Sequence, residues 1–209
     1  MAGPGDPSTP RTHAYRREAL VDGFWVMRSY RCDRLPDGTI LGPADDPSPL
    51  EGAFETWRTY VVDGRVVIDI DRARFPSAPH LWYCATYERD ERPAVNLVAF
   101  TTTDIAPGTV ISDTEFFALP VRSDQQVAAI RWWTDDGEMD QVYVDREHRR
   151  LQVAAKLVRA ASAFHLANGW PGRLHDNGRH TDLGDELAAS FRSARVAALR
   201  ERMPPMDPP

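Results

Sequence analysis

Between Glu138 and Leu157 the hydrophobic period of the chain changes from two to about 3.6. This switch constrains the fold more than any other stretch. Val142 and Val144 alternate with Gln141, Tyr143 and Asp145, the pattern of a half-buried strand. From there on, Val153, Leu157, Ala161 and Phe164 fall on one face of a helix. The basic turn Arg149-Arg150-Leu151-Gln152 lies between the two, at the helix N-terminus. Backbone N–H groups in a first helical turn have no intrahelical acceptor, and the helix dipole favours an anion there. A strand feeding such a turn is a phosphate cradle in outline.

The flanking chain extends the pattern. Gln126 to Thr134 reads as a strand that turns at Asp135-Asp136-Gly137 into the strand 138–145, its antiparallel neighbour. Gly172-Arg-Leu-His-Asp176 reads as a short strand parallel to 138–145, reached through the helix as a right-handed crossover. A second helix is expected over about 182–200, with Leu183, Leu187, Phe191, Ala194 and Ala198 on one stripe. Upstream, antiparallel strands dominate. Asp63-Gly64 between 54–62 and 65–71 is the strongest hairpin signal, since Asp-Gly supplies the positive φ angles of a two-residue turn. Leu81 to Tyr87 pairs with Ala94 to Thr103, and Phe24 to Asp33 is a further strand. Thr109 to Ile111 reads as a short strand, with the segment through Phe117 partly helical as the alternative. Tyr15 to Val21 reads as a short helical or irregular piece. The expected class is α+β, a mixed sheet with a strand-rich, elaborated N-terminal half. Residues 1–12 and 203–209 are Pro-rich tails, the first expected to be disordered. Residues 13–202 form one domain, with halves 13–120 and 121–202.

Val144-Asp-Arg-Glu-His148-Arg149-Arg150-Leu151-Gln152-Val153-Ala154-Ala155-Lys156-Leu157 resembles the acetyl-coenzyme A loop of the GNAT superfamily of N-acetyltransferases. That pattern is a strand ending in Val, then Arg or Gln, two residues, Gly, one residue, and Gly or Ala. Arg149 matches the leading basic residue and Ala154 the last small one. Gln152 stands where the family's first Gly belongs. His175 to Ala188 is similar to a His…Arg-Thr…Gly segment of some members, so the resemblance covers roughly 126–200. It implies a GNAT-like fold and acetyl-CoA as co-substrate. The acetyl-CoA would be held by Val142, Val144, Arg149, Arg150, Leu151, Gln152, Val153, Ala154 and Ala155. It also implies direct transfer of the acetyl group to an amine. The two helices that follow the family's first strand, and the two strands after its last helix, are not evident in this sequence.

Such a transfer needs a base for the substrate ammonium. Glu138 and Asp140 on the strand are candidates, although Asp135, Asp136, Glu138 and Asp140 also read as a solvated hairpin end. His175 is a second candidate, at a strand's C-terminal end, where open sheets place ligands. The family's acid is often a Tyr on its last helix, and residues 182–200 contain none. Thr181, with Asp182 and Asp185, reads more readily as a helix cap than as catalytic machinery. No metal site is expected, although His175 and His180 would be the ligands of a metal-dependent hydrolase. Trp132 and Trp133 point to opposite faces of their strand.

Composition narrows the partners. A net charge of −6 argues against nucleic acid. No apolar run reaches the ~18 residues that span a bilayer. The N-terminus has no apolar signal core, and two cysteines make no disulfide framework. Cytoplasm is the expected compartment. The expected partner is a small-molecule or protein amine acceptor, with a homodimer as the candidate assembly. Of the 25 cationic residues, Lys156 is the only lysine, which reads as the mark of a GC-rich genome. The competing function is a catalytically inactive GNAT-like binding or assembly module.

Overall fold

Asp63 and Gly64 both adopt positive φ, 50° and 78°, and fold residues 51–70 into a long hairpin. Eleven further strands complete the two sheets of a computed structural model that describes residues 13–18, 24–32, 34–36, 39–102, 104–120, 125–190 and 201–203. In chain order the first strands are β1 (His13–Glu18), β2 (Phe24–Arg31), β3 (Ile40–Leu41), β4 (Glu51–Val62) and β5 (Arg65–Ile70). They are followed by β6 (Trp82–Glu88), β7 (Ala94–Phe100), β8 (Thr109–Ser112), β9 (Gln126–Trp133) and β10 (Glu138–Val144). Three short strands end the series: β11 (His175–Asp176), β12 (Arg179–His180) and β13 (Glu201–Arg202). The helices are α1 (Asp113–Ala118), α2 (Val153–Ala167) and α3 (Asp182–Ser190). The class is α+β.

Eleven strands form one mixed sheet, in the order β11-β10-β9-β7-β6-β8-β5-β4-β2-β1-β3. Both halves of the chain therefore contribute to the same sheet. Neighbours are antiparallel except β10–β11, β6–β8 and β1–β3. β12 and β13 pair separately. The expected neighbours 126–134 and 138–145 are the antiparallel pair β9–β10, and β10–α2–β11 is the expected parallel unit.

α2 lies against β9 and β10 on one flank and against β5 and β4 on the other. Three strands separate β9 from β5 in the sheet order, so the sheet bends around the helix. The apolar stripe read from the sequence is the buried one: Val153, Leu157, Ala161 and Phe164 are all within 3% of full burial. They meet Tyr15, Trp57, Ile68, Tyr83, Leu97, Ile130 and Trp132 in the main core. A smaller core lies on the other face of the sheet, where Trp82, Cys84, Phe100 and Ile111 pack with Phe116 of α1. β6 serves both cores by strict alternation, Tyr83 and Ala85 to the first and Trp82 and Cys84 to the second. Trp132 is fully buried in the main core and Trp133 is half-buried on the opposite face, as their adjacency requires.

Two readings are corrected. Tyr15 lies in strand β1, which pairs antiparallel with β2 over residues 13–18 and turns the Tyr15 side chain into the main core. The segment after Ile111 is both alternatives in succession, β8 and then α1. Ser112 and Glu115 start that helix with a reciprocal capping box. The tail 1–12, most of the C-terminal tail and residues 191–200, which the expected helix 182–200 included, lie outside the described residues. Cys32 and Cys84 are both buried and free.

Candidate functional site

β10 is the strand on which the expected site residues converge. Its pairing with β9 shifts register between Met139 and Gln141, a bulge at Asp140. Its pairing with β11 ends at once: Glu138 lies opposite His175 and Met139 opposite Asp176. Beyond Met139 no described strand continues on that side. Asp145 gives its N–H to Val127 of β9. Alternation along the strand then directs the N–H and C=O groups of Val142 and Val144 toward the open side. Arg149 confirms that direction, since its Nε donates to the Val144 carbonyl at 3.1 Å. The Val142 and Val144 side chains pack on the main core, so only their backbone faces the open edge.

From Asp145 the chain makes a 3₁₀ turn over Arg146–His148, capped by the Asp145 carboxylate. The His148 ring lies 3.2 Å from the same carboxylate, and that contact, followed by backbone N–H groups, holds the Asp145 pKa below the usual range. Two left-handed residues follow, Arg150 at φ 62° and Gln152 at φ 59°. Left-handed backbone favours glycine. The position where the family pattern has glycine is therefore a position where the backbone asks for one. Gln152 does not cap α2; its Oε1 instead accepts from the Ser77 N–H at 3.1 Å. The first loop-to-helix bond is Lys156 N–H to Gln152 carbonyl. The N–H groups of Val153, Ala154 and Ala155 are thus the orphan donors of the helix start. Arg150, Leu151 and Gln152 are exposed beside them.

Glu138 and His175 are brought together at the other end of β10. Val144 lies six positions beyond Glu138, about 20 Å along the strand. Carboxylate oxygens of Asp136 and Glu138 and a ring nitrogen of His175 lie within 4.8 Å of one another, a set of a kind that takes a divalent cation. Arg92 is already paired with it, at 2.8 Å from Asp136 and 3.8 Å from Glu138, with Asp135 at 3.1 Å. The acidic hairpin end is therefore ion-paired rather than simply solvated. Asp140 is committed elsewhere, to Arg131 at 2.6 Å, which also holds Glu88 at 2.6 Å and stacks over Trp133. Arg92 and Ser77 could not be found from sequence, since they reach the site across more than forty and seventy residues.

His180 is not a metal ligand. Nδ1 lies 2.7 Å from Asp185 and Nε2 2.7 Å from Asp176, so both ring nitrogens are taken. Burial pulls its pKa down, but the hydrogen bonds to Asp176 and Asp185 outweigh burial and raise it. Thr181 caps α3, accepting from the Gly184 N–H at 3.1 Å. The metal-hydrolase reading fails here, because His175 and His180 belong to different clusters. Among the described helices none is long and apolar enough to cross a membrane. No family model, curated protein or solved structure matches this chain.

Proposed function

We propose that the chain is an acyl-CoA-dependent N-acyltransferase of GNAT type, moving an acetyl group from acetyl-CoA to an amine. The observation that carries the reading is a conjunction in one β-α-β unit. A bulged strand has an open edge, and it leads into an uncapped helix start with a left-handed residue at the glycine position of the loop pattern. The orphan N–H groups of residues 153–155, with Arg149 and Arg150, suit a pyrophosphate. The open-edge N–H of Val142 suits the thioester carbonyl, where charge develops during attack. The amine nitrogen bonds to the carbonyl carbon, the C–S bond breaks, and the thiolate leaves. Glu138 and His175 are the proposed bases; about 13 Å of strand separates them from Val142, so the ammonium proton reaches them through a chain of waters. The acceptor is an amine on a small molecule or a protein, and the proposed setting is the cytoplasm.

Titration with acetyl-CoA, followed by calorimetry, tests the proposal. Binding that weakens in an Arg149→Ala, Arg150→Ala double variant at low salt supports it. Absence of binding at millimolar concentration in both wild type and Gln152→Gly overturns it. One observation favours a second reading, a GNAT-like binding or assembly module without activity. Gln152 and Arg149 already spend side-chain bonds on Ser77 and Val144, which occupy part of the loop. Acetyl-CoA binding separates the two.

A further inference from the structure

A cavity of about 200 Å³ opens beside the first turns of α2, lined by β5, the 72–81 segment and Lys156. Its lining includes none of residues 138–155, so it is not the loop described above. At its mouth are the exposed Arg72 and His80, whose Nη1 and Nε2 atoms are 3.5 Å apart. Its floor is apolar and aromatic, with Ile68, Leu81 and Tyr83 buried. Lys156 enters from the helix.

Lys156 is half-buried and gives one of its three ammonium protons to the Pro79 carbonyl, at 2.7 Å. The other two have no acceptor among the described residues. Burial, then the Arg72 charge, lowers its pKa. Asp69 is the one carboxylate on the lining, and it is exposed. A site with two cations against one exposed carboxylate, and with ammonium protons to spare on Lys156, is complementary to a small anion. Its volume is below that of ordinary cofactor pockets, so coenzyme A is excluded by size.

We infer that this cavity binds a small oxyanion, a phosphate or a short carboxylate, between Lys156 and Arg72. Because Lys156 is the only lysine, lysine labelled with ¹³C at Cε gives a single resonance that reports the site directly. The labelled full chain is titrated with inorganic phosphate and, separately, with acetate, each at constant ionic strength. A saturable shift in the millimolar range is expected with at least one anion, and the responding arm identifies which oxyanion the site takes. Arg72→Gln should weaken that response roughly tenfold, while the Arg149→Ala, Arg150→Ala variant should leave it unchanged. Arg72 is exposed, so its loss leaves the fold intact. No saturable shift with either anion, an unchanged affinity in Arg72→Gln, or a response abolished by the Arg149/Arg150 variant overturns the inference. None of these outcomes depends on whether the chain binds acetyl-CoA.

Discussion

Trp132 donates its indole N–H to Nδ1 of His165 at 3.1 Å, and both side chains are fully buried. The bond ties β9 to the last turn of α2. It also fixes the histidine tautomer: Nδ1 accepts, so the proton is on Nε2, which donates to the Pro171 carbonyl at 2.9 Å. Pro171 begins the loop that delivers β11 to the edge of β10. His165 is thus the joint between core and site.

Trp132→Phe leaves Nδ1 buried without a donor, so it should cost about 1–3 kcal/mol, read by urea denaturation near neutral pH. Burial lowers the His165 pKa, against the Pro171 bond. The unfolded chain then binds a proton that the native ring refuses, so this group's contribution is present above the ordinary histidine range and is lost as pH falls. His165→Gln should flatten that acid-side slope. An unchanged slope rejects the assignment.

Gly137 sits at φ 83°, and a Cβ there would stand 2.4 Å from the Arg173 carbonyl oxygen. Gly172, at φ 72°, makes the reciprocal approach to Asp136. These two backbones touch because neither has a side chain, and that contact seats β11 beside β10. Gly137→Ala should lose about 1–3 kcal/mol from positive-φ strain alone, with faster amide exchange at His175. Protection of the His175 N–H, bonded to Gly137 at 3.0 Å, is the readout; if it is retained, the contact does not hold β11.

His180 carries the opposite sign. Its pKa is raised, so its two carboxylate bonds contribute fully below the ordinary histidine range and are lost as pH rises through the raised value. His180→Gln should be less stable than wild type at about pH 6, and the gap should narrow by about pH 8. Thermal denaturation at both values checks it, and a gap that widens with pH contradicts the geometry.

Gln152→Gly relieves a left-handed residue, worth roughly 1–2 kcal/mol, and loses one exposed bond to Ser77. The net expectation is unchanged or slightly greater stability, with acetyl-CoA affinity unchanged or raised. A variant clearly less stable than wild type would mean that the Ser77 bond, rather than the backbone angle, governs this loop.

Much of the frame was legible in the chain because its causes are local. The change of period at residues 145–153, the Asp63-Gly64 turn and the apolar stripe of α2 each act through neighbours in sequence. The Ser112-x-x-Glu115 box that starts α1 was equally local and was still missed, because the apolar pair Phe116-Phe117 does not reveal which face it buries. β1 is hidden for a related reason: six residues carry too little periodicity to show that β2 will pair with them. Glu138 and His175 were chosen separately, and only the parallel register of β10 and β11 makes them neighbours. The 11-strand order, the bend of the sheet around α2, the open edge beyond Met139 and the Arg72–Lys156 cavity were decided by tertiary structure alone. Local spacing selects elements and the faces they bury. Which element lies against which face depends on contacts between residues tens of positions apart, made only when the whole core closes.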